Sequence, residues 1–293
     1  MPEEPAAGQL GRMVFQNCMG SVSRLSRGIR APYDPMTGEG QIWVEMLARL
    51  SNLSTSAYAR RHTFLGVMQP TRCSYGIAAC GSPQDISQSW QQGLALYRQW
   101  ICVCAECVKD DLAKFRFSWF RRSHQLIGVD WCTTHGCALL MVEDCSPFLR
   151  PPHHWIKRGL ASPVNPFVEQ LEDAGTFVRR FIDVSTSFLR RSWPMSCELL
   201  NECLRKRARR IGICTEQCNR SRRLTAYVRK IAPKQWLQQH FSSSKRGHRF
   251  DHLVRLLDVT RPQFQPRGEI YALALTALFD DAALASAQLF SGR

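Results

Sequence analysis

The chain has 293 residues, of which 44% are hydrophobic, and carries 39 Lys and Arg against 24 Asp and Glu, a formal net charge of +15. This hydrophobic fraction excludes disorder over the whole chain, and the length allows two domains or one large domain with a small metal module. The thirteen cysteines do not indicate a secreted disulfide scaffold, because their number is odd and the chain is long.

The excess of positive charge predicts a polyanionic partner, most simply nucleic acid, because Lys and Arg bind phosphates with release of counterions. A basic but inert surface and an acidic protein partner are the alternatives. Residues 1–20 lack the continuous apolar core of a signal peptide, and no run of about 18 apolar residues would span a membrane. We therefore expect a protein of the reducing cytoplasm with no membrane partner.

The N-terminal part is predicted to be helical after a loose start. Residues 1–37 are rich in Pro and Gly and have weak periodicity, which indicates a flexible arm. Within residues 38–99, helices are expected at 42–50, at 55–64 and at 85–97, because apolar side chains recur there at helical spacing. The first two helices could form a DNA-binding helix-turn-helix or a plain packed hairpin, and both interpretations stay open.

Residues 100–150 are predicted to form a zinc module. Cys104 and Cys107 make a Cys-x-x-Cys pair, and Cys132 and His135 make a Cys-x-x-His pair further along the chain. Two ligands three residues apart can occupy two corners of a tetrahedron on one tight turn, and a second turn supplies the other two. Four protein ligands close the coordination sphere, so this pattern predicts structural zinc and argues against hydrolytic zinc chemistry.

The segment between the two ligand pairs is predicted to be a β-hairpin. Phe115, Phe117 and Trp119 alternate with more polar residues, and 126–131 has the pattern of a return strand. The module would then be a zinc ribbon or a related zinc finger.

Other Cys and His residues are weaker candidates for metal ligands. Cys102 is an alternative to Cys104, although its spacing to Cys107 is less usual for a knuckle. A second zinc site has little support, since its candidates have no common knuckle spacing and suit buried thiols or other roles: Cys73, Cys80, Cys145 and His153.

Residues 151–293 are predicted to form a helical region with a basic helix-turn-helix-like segment at about 196–232. One helix is expected from Ser196 to Ile211, where Gly212 can end it, and another from Leu224 to Ile231, which Pro233 stops. Residues 201–235 hold eleven Lys and Arg against two Glu, which favours DNA contact over a merely solvated face. The DNA-binding candidates are Arg205, Lys206, Arg207, Arg209, Arg210, Arg220, Arg222, Arg223, Arg229 and Lys230.

Apolar helices expected at 250–259 and 268–290 would close the bundle. The predicted fold class is therefore mainly α, with helical, helix-turn-helix-like elements around a small zinc-ribbon or zinc-finger β-hairpin module.

The zinc segment resembles the TniQ family. That family pairs a Cys-x-x-Cys knuckle, here 104–107, with a Trp-Arg-Arg-x-His-Gln-Leu-like stretch, here 119–126, and a Cys-x-x-His-Gly-x-x-Leu knuckle, here 132–139. Residues 38–50 also resemble the opening helix of the family. The chain departs from the family at Cys145, where Ser-Pro-Phe follows in place of a second cysteine pair.

The resemblance implies a non-catalytic adaptor in DNA transposition. Such a protein selects the target site, by binding DNA directly or by binding a CRISPR effector complex, and recruits an AAA+ ATPase regulator that admits the transposase. It would work at the nucleoid of a bacterial cytoplasm, as a monomer or a dimer. Three residues between the knuckles are candidates for a recognition surface: Arg121, Arg122 and His124.

Two other functions are alternatives. A zinc-containing transcription regulator that binds DNA would show the same zinc spacing and basic helices. A nuclease would need clustered carboxylates for Mg²⁺, but the pairs at 110–111, 143–144 and 280–281 lie in no recognisable motif. We therefore predict no catalytic residues.

Overall fold

The computed structural model describes residues 1, 3–22, 24–25, 39–68, 71–72, 97–98, 100–144, 146–164, 175–191, 195–213, 223–241 and 267–290. The chain divides into two compact units. Unit 1 comprises Met1–Leu65 and Ala78–Pro166, and unit 2 comprises Gly66–Ile77 and Phe167–Arg293. Among these described residues, no helix has the length and apolar character needed to cross a membrane.

The structure is mainly helical with a small antiparallel sheet, which confirms the predicted fold class. The helices are α1 (Ala6–Gln16), α2 (Glu39–Leu50), α3 (Thr55–His62), α4 (Leu65–Met68), α5 (Ala105–Phe115), α6 (Pro152–Lys157), α7 (Gly175–Arg190), α8 (Cys197–Arg210), α9 (Leu224–Ile231), α10 (Lys234–Phe241), α11 (Gly268–Leu278) and α12 (Ala282–Phe290). The strands are β1 (Thr71–Arg72), β2 (Ile101–Val103), β3 (Leu140–Val142), β4 (Ala161–Pro163) and β5 (Met195–Ser196).

The start of the chain is not the flexible arm that we predicted for 1–37, because residues 6–16 form helix α1. Leu10 and Val14 on this helix are buried in one core with Leu47 of α2 and Tyr58 of α3. Gly11 permits a close approach, since a β-carbon there would overlap the carbonyl of Phe148. Gly11, one of the glycines that suggested a loose arm, therefore serves helix packing instead.

Unit 1 also contains the three-stranded antiparallel sheet, in the order β2-β3-β4. Val142 of β3 pairs with Ile101 on one side and with Ala161 on the other. The sheet packs on the side chains of Phe120 and Trp155, which are buried with Ile101 and Val142. Both zinc knuckles are attached to this sheet, because one follows β2 and the other precedes β3.

The β-hairpin predicted between the knuckles is wrong. Residues 105–115 form helix α5, and 123–125 form one turn of 3-10 helix. Cys107, Val108 and Asp111 lie on the buried face of α5 at helical spacing. Residues 117–121, where the alternation suggested a strand, form neither helix nor strand. The strands of the module flank the two knuckles instead of joining them.

Unit 2 is a helical bundle around α11, whose residues are all buried. The aromatic side chains of Phe181, Phe188 and Trp236 are fully buried in this unit. The ring of Trp236 contacts that of Phe181 edge-on, with centroids 4.9 Å apart. Strands β1 and β5 form a short parallel pair.

The predicted helix boundaries in the basic segment agree with the structure. The Ser196 side chain caps α8 by accepting from the Leu199 N–H, and the helix ends before Gly212, whose φ is +77°. Helix α9 begins at Leu224 and ends before Pro233. The connection at 214–222 lies outside the described residues, so the helix-turn-helix geometry stays a prediction. The helix predicted at 85–97 falls almost entirely outside them, and the helix predicted at 250–259 does so completely.

Candidate metal centre

The structure brings together the four ligands predicted from the sequence. The donor atoms of Cys104, Cys107, Cys132 and His135 all lie within 4.8 Å of one another. The Cys107 Sγ is 3.6 Å from the Cys132 Sγ and 3.3 Å from the His135 Nδ1. With zinc–sulfur bonds of about 2.3 Å, tetrahedral donors lie roughly 3.3–3.8 Å apart. Three thiols and one imidazole at these separations fit a structural zinc ion.

The first knuckle lies at the junction between β2 and α5. Cys104 is the N-cap of α5, and its Sγ accepts a hydrogen bond from the Cys107 N–H at 3.3 Å. A helix N-terminus carries partial positive charge, which favours the thiolate form that a metal needs. The capping bond and the first helical turn therefore hold both sulfurs on the same side.

The second knuckle is a tight turn that leads back into the sheet. The Gly136 N–H donates to the Cys132 carbonyl at 2.8 Å, and the Cys132 N–H donates to the Cys137 carbonyl at 2.9 Å. Gly136 has φ +62°, a conformation that side chains disfavour and that glycine adopts readily. This turn places the Cys132 thiol and the His135 ring side by side.

Hydrogen bonds inside the cluster favour a thiolate at Cys132. Bonds from the Cys104 and Cys107 thiols lower the pKa of Cys132, against the burial that raises it, and His124 also lowers it. The buried imidazole of His124 therefore stabilises the thiolate form of Cys132.

Asp110 orients the histidine ligand from outside the cluster. Its Oδ2 lies 2.9 Å from the His135 Nε2, so Nε2 carries the proton and Nδ1 is left to face the three sulfurs. Carboxylates in this position fix the tautomer and the ring orientation of metal-bound histidines. Its neighbour Asp111 has a different role, because both its oxygens accept from Arg121, at 2.8 and 3.0 Å.

Asp110→Asn should weaken zinc binding while leaving the site intact. We expect about a tenfold loss of affinity, the lower end of the range for such outer partners, because Asp110 is largely exposed. Competition with a chromophoric chelator measures this. Glu106→Gln, which removes a carboxylate of the same helix that pairs with Lys109, is the matched control. Equal affinities for the two variants would show that Asp110 does not orient the ligand.

The structure decides between Cys102 and Cys104 as ligands. Cys102 is not one of the four clustered residues, and its backbone N–H and carbonyl bond to the Gln125 side chain. Burial raises the pKa of the Cys102 thiol to about 12. Cys102 is therefore a core residue of β2.

The sequence did not identify Cys137 as a neighbour of the site. Its Sγ lies 3.4 Å from the Cys104 Sγ and is half-buried. Cys137 stands two residues after His135, a spacing that belongs to no common knuckle. Only the fold of the turn shows that its thiol lies beside the cluster.

The recognition surface predicted at Arg121, Arg122 and His124 is not supported. Arg122 is 3% exposed, and its Nη1 donates to the carbonyls of Arg60 and Thr63 at 2.8 and 2.9 Å. These carbonyls lie at the C-terminal end of α3, where helices have unsatisfied acceptors. His124 is equally buried, and Arg121 is held by Asp111. These side chains hold the fold of unit 1 together.

A second metal site finds no support in the described part of the chain. Cys73, Cys80 and Cys145 lie outside it. His153 is described, and its Nδ1 is hydrogen-bonded to the Ser118 hydroxyl at 2.8 Å. The only group of potential ligands found among the described residues is the one that contains Cys104.

The predicted DNA-binding residues differ in their surroundings. Arg205 pairs with Glu202, and Arg207 donates to the Leu278 carbonyl while its guanidinium lies over the Phe279 ring. Arg223 is half-buried where α9 begins. Arg220 and Arg222 lie outside the described residues. The exposed members of the set are Lys206, Arg209, Arg210, Arg229 and Lys230.

The described carboxylates of the three acidic pairs have local partners. Asp281 caps α12 by accepting from the Leu284 N–H, and Asp144 accepts from the Ser146 N–H. Glu143 accepts from the Ser162 hydroxyl. These contacts are those of capping and turn residues.

The comparison with known families gives a match to TniQ over residues 1–139. The matched stretch includes helix α1 and all four clustered ligands. The search of curated proteins gives no match. TniQ proteins are associated with target selection in transposition, and the family is known as non-catalytic. Residues 1–139, a little under half of the 293-residue chain, therefore match the TniQ family.

Proposed function

We propose that this protein is an adaptor that selects a target site for DNA transposition and recruits an AAA+ ATPase regulator to it, without catalysis. The observation that carries this proposal is the closed Cys3His cluster within the TniQ domain. A zinc ion there would be held by four protein groups, which leaves no position for a reacting water. When bound, zinc supplies folding free energy to the module.

Direct binding of DNA is the form of target recognition that the charges favour. Lys206 and Arg210 are exposed and stand four residues apart on α8, so they share one face of the helix. They add to the charge of the basic segment from 201 to 235. Recognition through a CRISPR effector complex is the other form that the family implies, and either would act at the bacterial nucleoid.

Neutralising α8 should weaken DNA binding and reduce its salt dependence. For Lys206→Gln with Arg210→Gln, we expect the slope of log K against log salt to fall by about two, since each lost phosphate contact removes about 0.9. Fluorescence anisotropy with duplex DNA at several salt concentrations measures this. The matched control is Arg179→Gln with Arg190→Gln on α7, where both arginines act electrostatically on Asp183. A slope that falls equally in both variants would mean that α8 is not a contact surface.

Recruitment is tested separately by pull-down with an AAA+ transposition regulator, with and without target DNA. Retention of the regulator supports the adaptor. Sequence-specific DNA binding with no retention of the regulator would favour the zinc-containing transcription regulator instead.

A further inference from the structure

Unit 1 carries a cluster of cations that the proposed DNA-binding segment does not include. Arg150, Lys157 and Arg158 are exposed, and His154 lies among them on helix α6. Partial burial lowers the pKa of His154, and the charges of Arg158 and Arg150 lower it further. Both guanidinium groups are therefore close enough to the imidazole to repel its protonated form. We call these four residues the α6 surface.

In the described part of the chain, no carboxylate balances the charge of the α6 surface. Among the described residues, no ion pair joins Arg150, Lys157 or Arg158 to an acidic group at 4.0 Å or less. The acidic residues nearest in the chain, Glu143 and Asp144, accept hydrogen bonds from Ser162 and Ser146. Like charges held together without counter-charges create a positive potential that attracts an external anion.

Aromatic rings lie beneath and beside these cations. The Arg150 guanidinium lies over the Phe15 ring, 5.5 Å from its centroid. Phe15 contacts Phe117 at 6.3 Å, and Phe117 meets the His153 ring edge-on at 5.6 Å. The His153 ring is fixed in turn by the Ser118 hydroxyl. A guanidinium stacked on a fixed ring has its planar donors already oriented, which suits bidentate binding of a phosphate.

We propose that the α6 surface binds the phosphate backbone of double-stranded DNA and is a second DNA contact, in the same unit as the metal cluster. The inference rests on the proposed function, because it assumes that the protein recognises DNA directly. Exposed Arg and Lys clustered together match a nucleic-acid backbone better than an acidic protein face, because protein–DNA interfaces are much more positively charged than protein–protein interfaces. These contacts position DNA and carry no sequence information.

The experiment compares duplex DNA binding by the full chain and three double variants. Arg150→Gln with Arg158→Gln removes the two guanidiniums of the α6 surface. Lys109→Gln with Lys114→Gln removes two exposed cations elsewhere in unit 1. Lys206→Gln with Arg210→Gln reports on α8. Zinc content and melting temperature confirm that each variant is folded.

We expect the α6 variant to lose about two units of salt slope and several-fold to tenfold in affinity, since each lost phosphate contact removes about 0.9 of slope. The Lys109 and Lys114 control should match the wild type. An α6 variant that binds like the wild type, while the α8 variant is weakened, would overturn this inference and leave the proposed function standing. A wild-type chain that binds no duplex DNA would overturn both. An α6 variant that keeps DNA binding but no longer retains the AAA+ regulator would assign the surface to an acidic protein.

Discussion

Replacing Cys132 with serine should release the metal and unfold the module that it holds together. The Cys132 Sγ is buried and lies 3.6 Å from both the Cys107 Sγ and the His135 Nδ1. A serine hydroxyl does not replace a thiolate as a zinc ligand, so three ligands remain. We expect about one zinc ion per wild-type chain and close to none in the variant, after dialysis against a mild chelator.

The loss of zinc should have a large effect on stability. Structural zinc contributes about 10–16 kcal/mol of apparent binding free energy in isolated finger peptides. In this protein the loss should be local to the cluster and the β2-β3-β4 sheet, because α1, α2 and α3 have a core of their own. Calorimetry should show the unfolding transition of unit 1 at a lower temperature. Unit 2 contains none of the four ligands, so the helical content of that unit should remain.

Cys137→Ser is the matched control for the ligand assignment. It removes a thiol from the edge of the same cluster, 3.4 Å from the Cys104 Sγ, but not one of the four donors. It should keep the wild-type zinc content, as should Cys102→Ser. If Cys137→Ser loses zinc and Cys132→Ser keeps it, the four-ligand assignment is wrong.

The sequence predicts the metal ligands well because their spacing is set by local geometry. Two donors three residues apart fit one turn whatever the rest of the fold is. In this protein the first pair lies at a helix N-terminus that begins at Cys104, and the second pair lies in a tight turn that contains Gly136. The limits of α8 were predictable for the same reason. The Ser196 cap and Gly212 act within a few residues of the helix ends.

Features that depend on distant partners were not predictable. Arginine is usually a surface residue, and only the tertiary fold places the Arg122 guanidinium against the carbonyl of Arg60. Helix α1 is amphipathic, but its apolar face is stabilised by Leu47 and Tyr58 from elsewhere in the chain. Its glycines suggested a loop because the close approach to Phe148 is invisible in the sequence. In each of these cases a tertiary contact overrides the local sequence pattern on which the prediction rested.

Arg98→Met should destabilise unit 1 more than the loss of any exposed charge. The Arg98 Nη2 lies 3.3 Å from the Asp130 Oδ1, and the two side chains are 3% and 0% exposed. Its Nη1 also donates to the carbonyls of His124 and Val129, at 3.3 and 2.9 Å. Removing the guanidinium takes the cation away from a buried carboxylate, which costs about 3–5 kcal/mol. The midpoint of urea unfolding should fall accordingly.

The same substitution should also weaken zinc binding, because two of the acceptors of Arg98, Val129 and Asp130, lie just before Cys132 and fix the approach of the chain to the second knuckle. Lys109→Met breaks the exposed pair with Glu106 and should cost less than about 1 kcal/mol. Arg98→Met combined with Asp130→Asn removes both charges, and it should recover part of the stability because the buried carboxylate charge is removed together with the guanidinium. If Arg98→Met proves as mild as Lys109→Met, the buried network contributes little, and the metal alone holds the second knuckle in place.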